Sequence, residues 1–148
     1  MHQLYIYIVE DDLFMAAMLK KMLTNLGHTV CGIADTYKKA VYDLQRMEVD
    51  LVITDIMLLG EKTGIDLGQY MNAHLNIPFI YHSSVTEGKM IKKALDTLPD
   101  AYLTKPVKKT ALTQAISNSI NKNSISGAKV HSLLDSIIVK DQKIFNTQ

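Results

Sequence analysis

The chain is poor in features that would point at once to a chemistry. It has one cysteine, Cys31, in 148 residues, set in the apolar stretch TVCGIA. No intrachain disulfide and no cysteine metal cluster can form, so Cys31 reads as a buried, inert thiol. No apolar run approaches the roughly 18 residues that a membrane span needs. No basic segment followed by a long apolar stretch opens the chain, so no signal peptide is expected and the default compartment is cytoplasmic. Net charge is only +1, which gives no global electrostatic reason to expect nucleic-acid binding. There is no internal repeat and no low-complexity tract. What remains is 47% apolar and 21% charged, which is enough for a core and argues against wholesale disorder. The length suits one domain with a fragment attached.

Five short apolar runs alternate with longer segments of helical periodicity. Leu4 to Val9 (LYIYIV) is too short for a helix and rich in strand formers, so it reads as a central parallel strand. Asp12 is placed to cap the helix that follows, where Leu13, Met15, Ala16, Leu19, Met22, Leu23 and Leu26 recur at helical spacing and Gly27 ends the run. Thr29 to Ala34 is a second strand. Asp35 and Thr36 start a helix through about Met47, and Asp50 to Thr54 (DLVIT) is a third strand. Leu59 to Thr63 is a loop, and Gly64 to about Leu75 a weaker helix. Pro78 opens a fourth strand through His82, a position where proline is tolerated. Glu87 to about Leu95 is a short helix, Pro99-Asp100 a turn, Ala101 to Thr104 a fifth strand, and Lys108 to about Asn121 a last helix. Strand and helix alternating five times call for a parallel sheet covered by helices on both faces, because parallel strands need crossover connections.

Composition shifts after Ile120. The string Asn121-Lys122-Asn123-Ser124 with Ser126-Gly127 reads as helix end and linker. It is followed by LLDSIIVKDQKIF, a β-rich stretch with a turn expected at Lys140-Asp141-Gln142. The expected organisation is therefore a domain over 1–122 and a linker with C-terminal extension over 123–148. A lone hairpin is marginally stable, so the extension reads as the start of something longer or as an arm packing on another surface.

Four of the strands end in reactive polar residues: Glu10-Asp11 after YIYIV, Asp55 after DLVIT, Ser83 after IPFIYH and Lys105 after AYLT. In an open α/β sheet the carboxyl ends of the strands are where ligands bind. Three carboxylates, a hydroxyl and an ammonium gathered there suit a divalent cation and a phosphoryl group.

The strings IYIVEDD, DLVITDIML, IPFIYHSS and DAYLTKPV, in that order and at compatible spacing, resemble the receiver domain of two-component response regulators (CheY-like) over about Leu4 to Ile120. The resemblance implies a flavodoxin-like, doubly wound five-stranded parallel sheet of order 2-1-3-4-5. It implies that Asp55 is the phosphoacceptor, since a carboxylate can attack phosphorus to form an acyl phosphate. Glu10 and Asp11 match the acidic pair that holds Mg²⁺, with Asp11 the more direct ligand, Glu10 acting largely through water, and the Met57 backbone carbonyl completing the set beside Asp55. Asp12 is expected to cap the first helix instead of binding metal. Ser83 matches the hydroxyl switch position, and Ser84 next to it is the competing choice. Lys105 matches the lysine that pairs with the acceptor or its phosphate, and a cis Lys105-Pro106 bond is expected. Tyr102 matches the aromatic residue that moves with the hydroxyl.

The implied partner is a sensor histidine kinase, with a possible homodimer through the face of the fourth and fifth helices. The implied role is signalling with self-assisted phosphorylation and dephosphorylation only, not enzymatic turnover. Leu59 stands where the family often has proline, and the loop before Gly64 is one residue longer than the commonest form. His82 replaces the usual aliphatic residue and reads first as a satisfied strand residue and not a ligand, with a response of the site to pH near 6.5 as the alternative. DSIIVKDQKIF resembles the entry strand of LytTR-type DNA-binding domains, so any DNA contact would require an output domain missing from this chain. A stand-alone docking receiver is an alternative. An Asp-nucleophile phosphohydrolase is another, but Met57 stands where its second Asp would be. A flavin carrier would need a phosphate-cradling first loop, and this chain has Glu10-Asp11-Asp12 there.

Overall fold

Apolar runs of four to six residues give strands here, and each return to the sheet is made by a helix. A computed structural model describes residues 2–121. Its strands are β1 (Tyr5–Val9), β2 (Thr29–Ala34), β3 (Leu51–Thr54), β4 (Phe79–Ser83) and β5 (Ala101–Thr104). Its helices are α1 (Leu13–Asn25), α2 (Tyr37–Leu44), α3 (Gly64–His74), α4 (Gly88–Asp96) and α5 (Lys109–Ile120). Every strand pair is parallel and the order is β2-β1-β3-β4-β5, the flavodoxin-like arrangement expected. The chain leaves β1 toward one edge and returns to β3 on its other side. The crevice of the fold therefore opens at the carboxyl ends of β1 and β3.

Side chains alternate across the sheet and divide the core in two. Tyr7, Val9, Val52, Phe79 and Tyr81 face one way and pack with Ala40 and Leu44 of α2, Leu67 and Met71 of α3, and Ile91 and Ala94 of α4. Ile6, Ile8, Ile53 and Ile80 face the other way and pack with Leu19 and Leu23 of α1 and Leu112 and Ile116 of α5. Each fully buried aliphatic side chain contributes roughly 1.5–3 kcal/mol relative to exposure. The central strands, buried on both faces, read as continuous apolar runs for this reason.

Local chemistry places the helix ends. The Asp12 carboxylate accepts from the backbone N–H of Phe14 and Met15, as its expected capping role requires. Thr36 accepts from Lys39 N–H. Thr63 and Asp66 form a reciprocal capping box that starts α3 firmly, so this helix is better specified than its weak periodicity suggests. Gly27, at φ 92°, takes the left-handed conformation that ends α1.

Two expectations are corrected. The second helix stops at Leu44 and not near Met47, because the N–H groups of Arg46 and Met47 both turn back onto the Asp43 carbonyl. Leu13 does not join the core face of α1 but is 83% exposed. The helix runs back from the carboxyl edge of the sheet, so its first residue lies beyond the apolar surface that the strands offer. No helix of the described residues is long and apolar enough to cross a membrane. The extension from 123 onward, with its expected hairpin, lies outside the described residues.

Candidate functional site

The sheet's hydrogen bonding continues one residue past β1 and β3 and holds the polar residues in place. Glu10 N–H donates to Ala34 O at 2.8 Å, and Asp55 N–H to Val9 O at 2.8 Å. Lys105 N–H donates to Ser83 O at 3.0 Å and so ties the β5 end to the β4 end. The Lys105-Pro106 bond is cis, as expected.

Three of the predicted site residues form one acidic cluster. Glu10, Asp11 and Asp55 each offer a carboxylate oxygen, and these atoms all lie within 4.8 Å of one another. Glu10 and Asp55 are buried and Asp11 is half-buried. Lys105 Nζ donates to Asp55 Oδ2 at 2.6 Å and also to Glu10 Oε1. Ile56 N–H donates to Asp55 Oδ1 at 2.7 Å. Both carboxylate oxygens of Asp55 therefore have a partner, and the side chain is held in one orientation.

The electrostatics follow from the crowding. Burial pushes the Glu10 carboxyl up to about 7, with Lys105 opposing the shift and the Asp55 charge reinforcing it. Burial disfavours the Lys105 ammonium, but its hydrogen bonds to Asp55 and Glu10 outweigh that and raise its pKa. The Glu10 carboxylate also accepts directly from the Lys105 ammonium, a contact beside its expected water-mediated role toward the metal. Three clustered oxygens donated by carboxylates are the donor set a hard divalent cation prefers, so the residues present fit Mg²⁺.

Ser83 and Tyr102, the two expected switch residues, share one partner, which sequence reasoning missed. The fully buried Ser83 hydroxyl accepts from Val85 N–H at 3.1 Å, and the Tyr102 hydroxyl donates to Val85 O at 3.2 Å. Val85 lies in the β4–α4 loop and carries no chemical signal in its side chain. Ser84, the competing choice, is exposed. Met57 lies two residues past Asp55 with its side chain 51% exposed. Nothing at that position can act as the general acid of a phosphohydrolase.

A second missed residue is Gly64. A Cβ built there would lie 1.8 Å from the Asp55 carbonyl oxygen. The start of α3 packs directly on the backbone of the candidate acceptor, and Gly64 N–H donates to Ile56 O at 2.7 Å. The signal in the sequence is the Gly64-Ile65 pair after the loop, but the need for glycine comes from a contact nine residues apart. His82 is buried, as a strand residue, and burial, with the Lys105 ammonium adding and the Asp55 carboxylate opposing, pushes its pKa down to about 4, which speaks against the alternative of a response near 6.5.

Comparison with known proteins agrees with this geometry. The response regulator receiver domain model matches residues 6–117. The chain is 29% identical over 118 residues to the chemotaxis protein CheY of Thermotoga maritima, covering 79% of this chain and 97% of that protein. It is 28% identical over 130 residues to the DNA-binding response regulator MtrA of Mycobacterium tuberculosis strain H37Rv, covering 88% of this chain and 56% of that one. The chain thus spans only a little over half the length of MtrA. Among solved structures, it resembles the signal receiver domain of a modulated diguanylate cyclase from Desulfovibrio desulfuricans G20. The TM-score there is 0.78 at 31% identity, over 82% of this chain and 96% of that one. A carboxylate cluster at the crevice of a 2-1-3-4-5 sheet and a family match over most of the chain lead to one conclusion: the chain belongs to the response regulator receiver domain family of two-component signalling.

Proposed function

We propose that this domain accepts a phosphoryl group on Asp55 from a sensor histidine kinase and converts the modification into a change of surface. The observation that carries this reading is the position of Asp55: its Oδ2 is 2.6 Å from Lys105 Nζ, and its carboxylate is clustered with those of Glu10 and Asp11 at the sheet crevice. An Asp55 oxygen attacks phosphorus, the phosphorus–nitrogen bond to the donor histidine breaks, and that imidazole leaves with the electron pair and takes a proton. The product is an acyl phosphate. Lys105 pairs with the incoming phosphoryl oxygens as a point charge, and Ile56 N–H keeps the carboxylate aimed. Glu10, Asp11, Asp55 and the Met57 carbonyl would hold Mg²⁺. Bound there, the ion supplies positive charge that offsets repulsion between the carboxylates and the phosphoryl oxygens.

The modified Asp55 then draws the Ser83 hydroxyl, which must release Val85 N–H. Tyr102 is tied to the same residue, so the two side chains move with one loop and bias a two-state equilibrium of the β4–α4 surface. The domain does not turn over an outside substrate. It works in the cytoplasm, and residues 123–148 serve as linker and extension. Any transcriptional role belongs to an output domain of the kind that MtrA's description as DNA-binding indicates. A homodimer through α4, β5 and α5 is the proposed paired state, checked by sedimentation with and without phosphoryl donor.

Intact mass after incubation with acetyl phosphate tests the reading. Wild type gains one phosphoryl group only when Mg²⁺ is present, and Asp55→Asn gains none. A gain by Asp55→Asn equal to wild type would sink the assignment of Asp55. No gain by wild type from acetyl phosphate, and none on incubation with histidine kinases of the same cell, would leave a docking module.

A further inference from the structure

The α1/α5 side of the sheet carries a polar atom that the phosphoacceptor chemistry does not use. His82, at the end of β4, is 4% exposed, and its Nε2 has no hydrogen-bond partner. Leaving a buried polar atom unpaired is costly, and such atoms call for an explanation. His82 lines a small cavity of about 20 Å³ together with Met15, Met18 and Met22, closed by Leu19, Pro106 and Val107. The three methionines stand on α1 at i, i+3 and i+7, so one helix face brings three methionines to the cavity that the imidazole also lines.

The size and the wall chemistry restrict the guest. The cavity has room for a single small guest such as one water. Water itself needs two to four polar partners, and here the wall is almost wholly apolar, with one imidazole among methionines and aliphatic residues. A guest that bonds to both nitrogen and thioether sulfur fits better. Those donors select soft metal ions of the Cu(I) class. Hard cations such as Mg²⁺ require oxygen and are directed to the carboxylates instead. The imidazole is neutral at physiological pH, so with its proton on Nδ1 it has a free lone pair at Nε2. Methionine has three rotatable side-chain bonds and can close on an ion, while Met18, 42% exposed, leaves a way in. The Lys105 ammonium opposes a cation here and the Asp55 carboxylate favours one, since both act on His82.

We propose that Met15, Met18, Met22 and His82 form a binding site for one soft monovalent cation, Cu(I) or its analogue Ag(I). The site is independent of the phosphoacceptor role. It lies one residue before Ser83 on β4, so an ion there would act on the strand that carries the switch hydroxyl.

The test uses the full chain with Cys31→Ser, which removes the competing thiol, titrated with Ag(I) in chloride-free buffer and followed by methionine methyl NMR. One equivalent is expected to bind saturably and to shift the methyl resonances of Met15, Met18 and Met22, leaving the other five of the eight methionines in place. His82→Leu and Met22→Leu are each expected to weaken binding at least tenfold with unchanged circular dichroism. The proposal is overturned by the absence of saturable binding, by shifts confined to other methionines, or by undiminished affinity in His82→Leu. Should His82→Leu fail to fold, the methyl shifts in the parent protein decide the matter alone.

Discussion

The two sides of the sheet treat buried polar groups in opposite ways. On the side of α2, α3 and α4, two tyrosines sit fully buried and each is anchored. Tyr7 donates to Asp43 Oδ2 at 2.5 Å, and the Tyr81 hydroxyl pairs with Thr97 Oγ1 at 2.6 Å. Burial raises both phenol pKa values, so both rings stay protonated and able to donate. On the side of α1 and α5 the core is aliphatic, and His82 sits against it with Nε2 unpaired. The first side is specified by directed hydrogen bonds that permit one arrangement of the rings. The second is specified mainly by volume, the buried Ser119 hydroxyl bonding only its own helix at Ile116 O, and its buried imidazole responds by staying neutral.

That contrast can be broken from either side. The largest effect is expected from Gly64→Ala on the first side. Its Cβ would meet backbone and not a flexible side-chain end, so a loss of more than about 4 kcal/mol is expected, read as a collapse of the urea midpoint with loss of phosphorylation. A variant as stable as wild type would show that α3 can shift away from Asp55.

Gly68→Ala should cost less, about 1–3 kcal/mol, because its Cβ would lie 2.3 Å from the Tyr81 hydroxyl oxygen. Tyr81→Phe removes that atom, so the double variant should be more stable than the sum of the single changes. Strict additivity in a double-mutant cycle would mean that the clash lies elsewhere.

His82→Leu sharpens the comparison through pH. The folded pKa of about 4 lies below the ordinary 6.5, so the unfolded chain takes the proton first as pH falls. The group's contribution to stability is complete above 6.5 and is lost between 6.5 and 4. Wild type should therefore lose about 1–2 kcal/mol more than His82→Leu on going from pH 7 to pH 5. Equal losses, measured by urea unfolding at both pH values, would place the titration elsewhere. The smallest expected effect is that of Tyr7→Phe, about 1 kcal/mol, seen as a lowered Tm. No change would show that Asp43, only half-buried, regains its hydrogen bond from water.

Much of the site was readable before the fold was known. Glu10, Asp11, Asp55, Ser83 and Lys105 each stand at or just past the end of an apolar-rich run, and a strand's end is a definite place in a parallel sheet. Asp12 as a cap was readable because a cap is local chemistry. Leu13 was misplaced because helical spacing describes a face and not how far the neighbouring surface extends. Glu10 was assigned to metal without its lysine because Lys105 is 95 residues away, and no local pattern reports that distance. Val85 was invisible because its role lies in its backbone N–H and carbonyl, which every non-proline residue has.

The sequence by itself determined the alternation of strand and helix, the polar residue at each strand end and the helix caps, because these depend on periodicity and on groups a few bonds apart. Only the tertiary structure decided which groups come together: Lys105 with both Glu10 and Asp55, Gly64 with the Asp55 backbone, and His82 with three methionines of α1 around one cavity. Those contacts depend on how β1, β3, β4 and β5 lie side by side. The low-dielectric interior then decides which of those groups keep their charge.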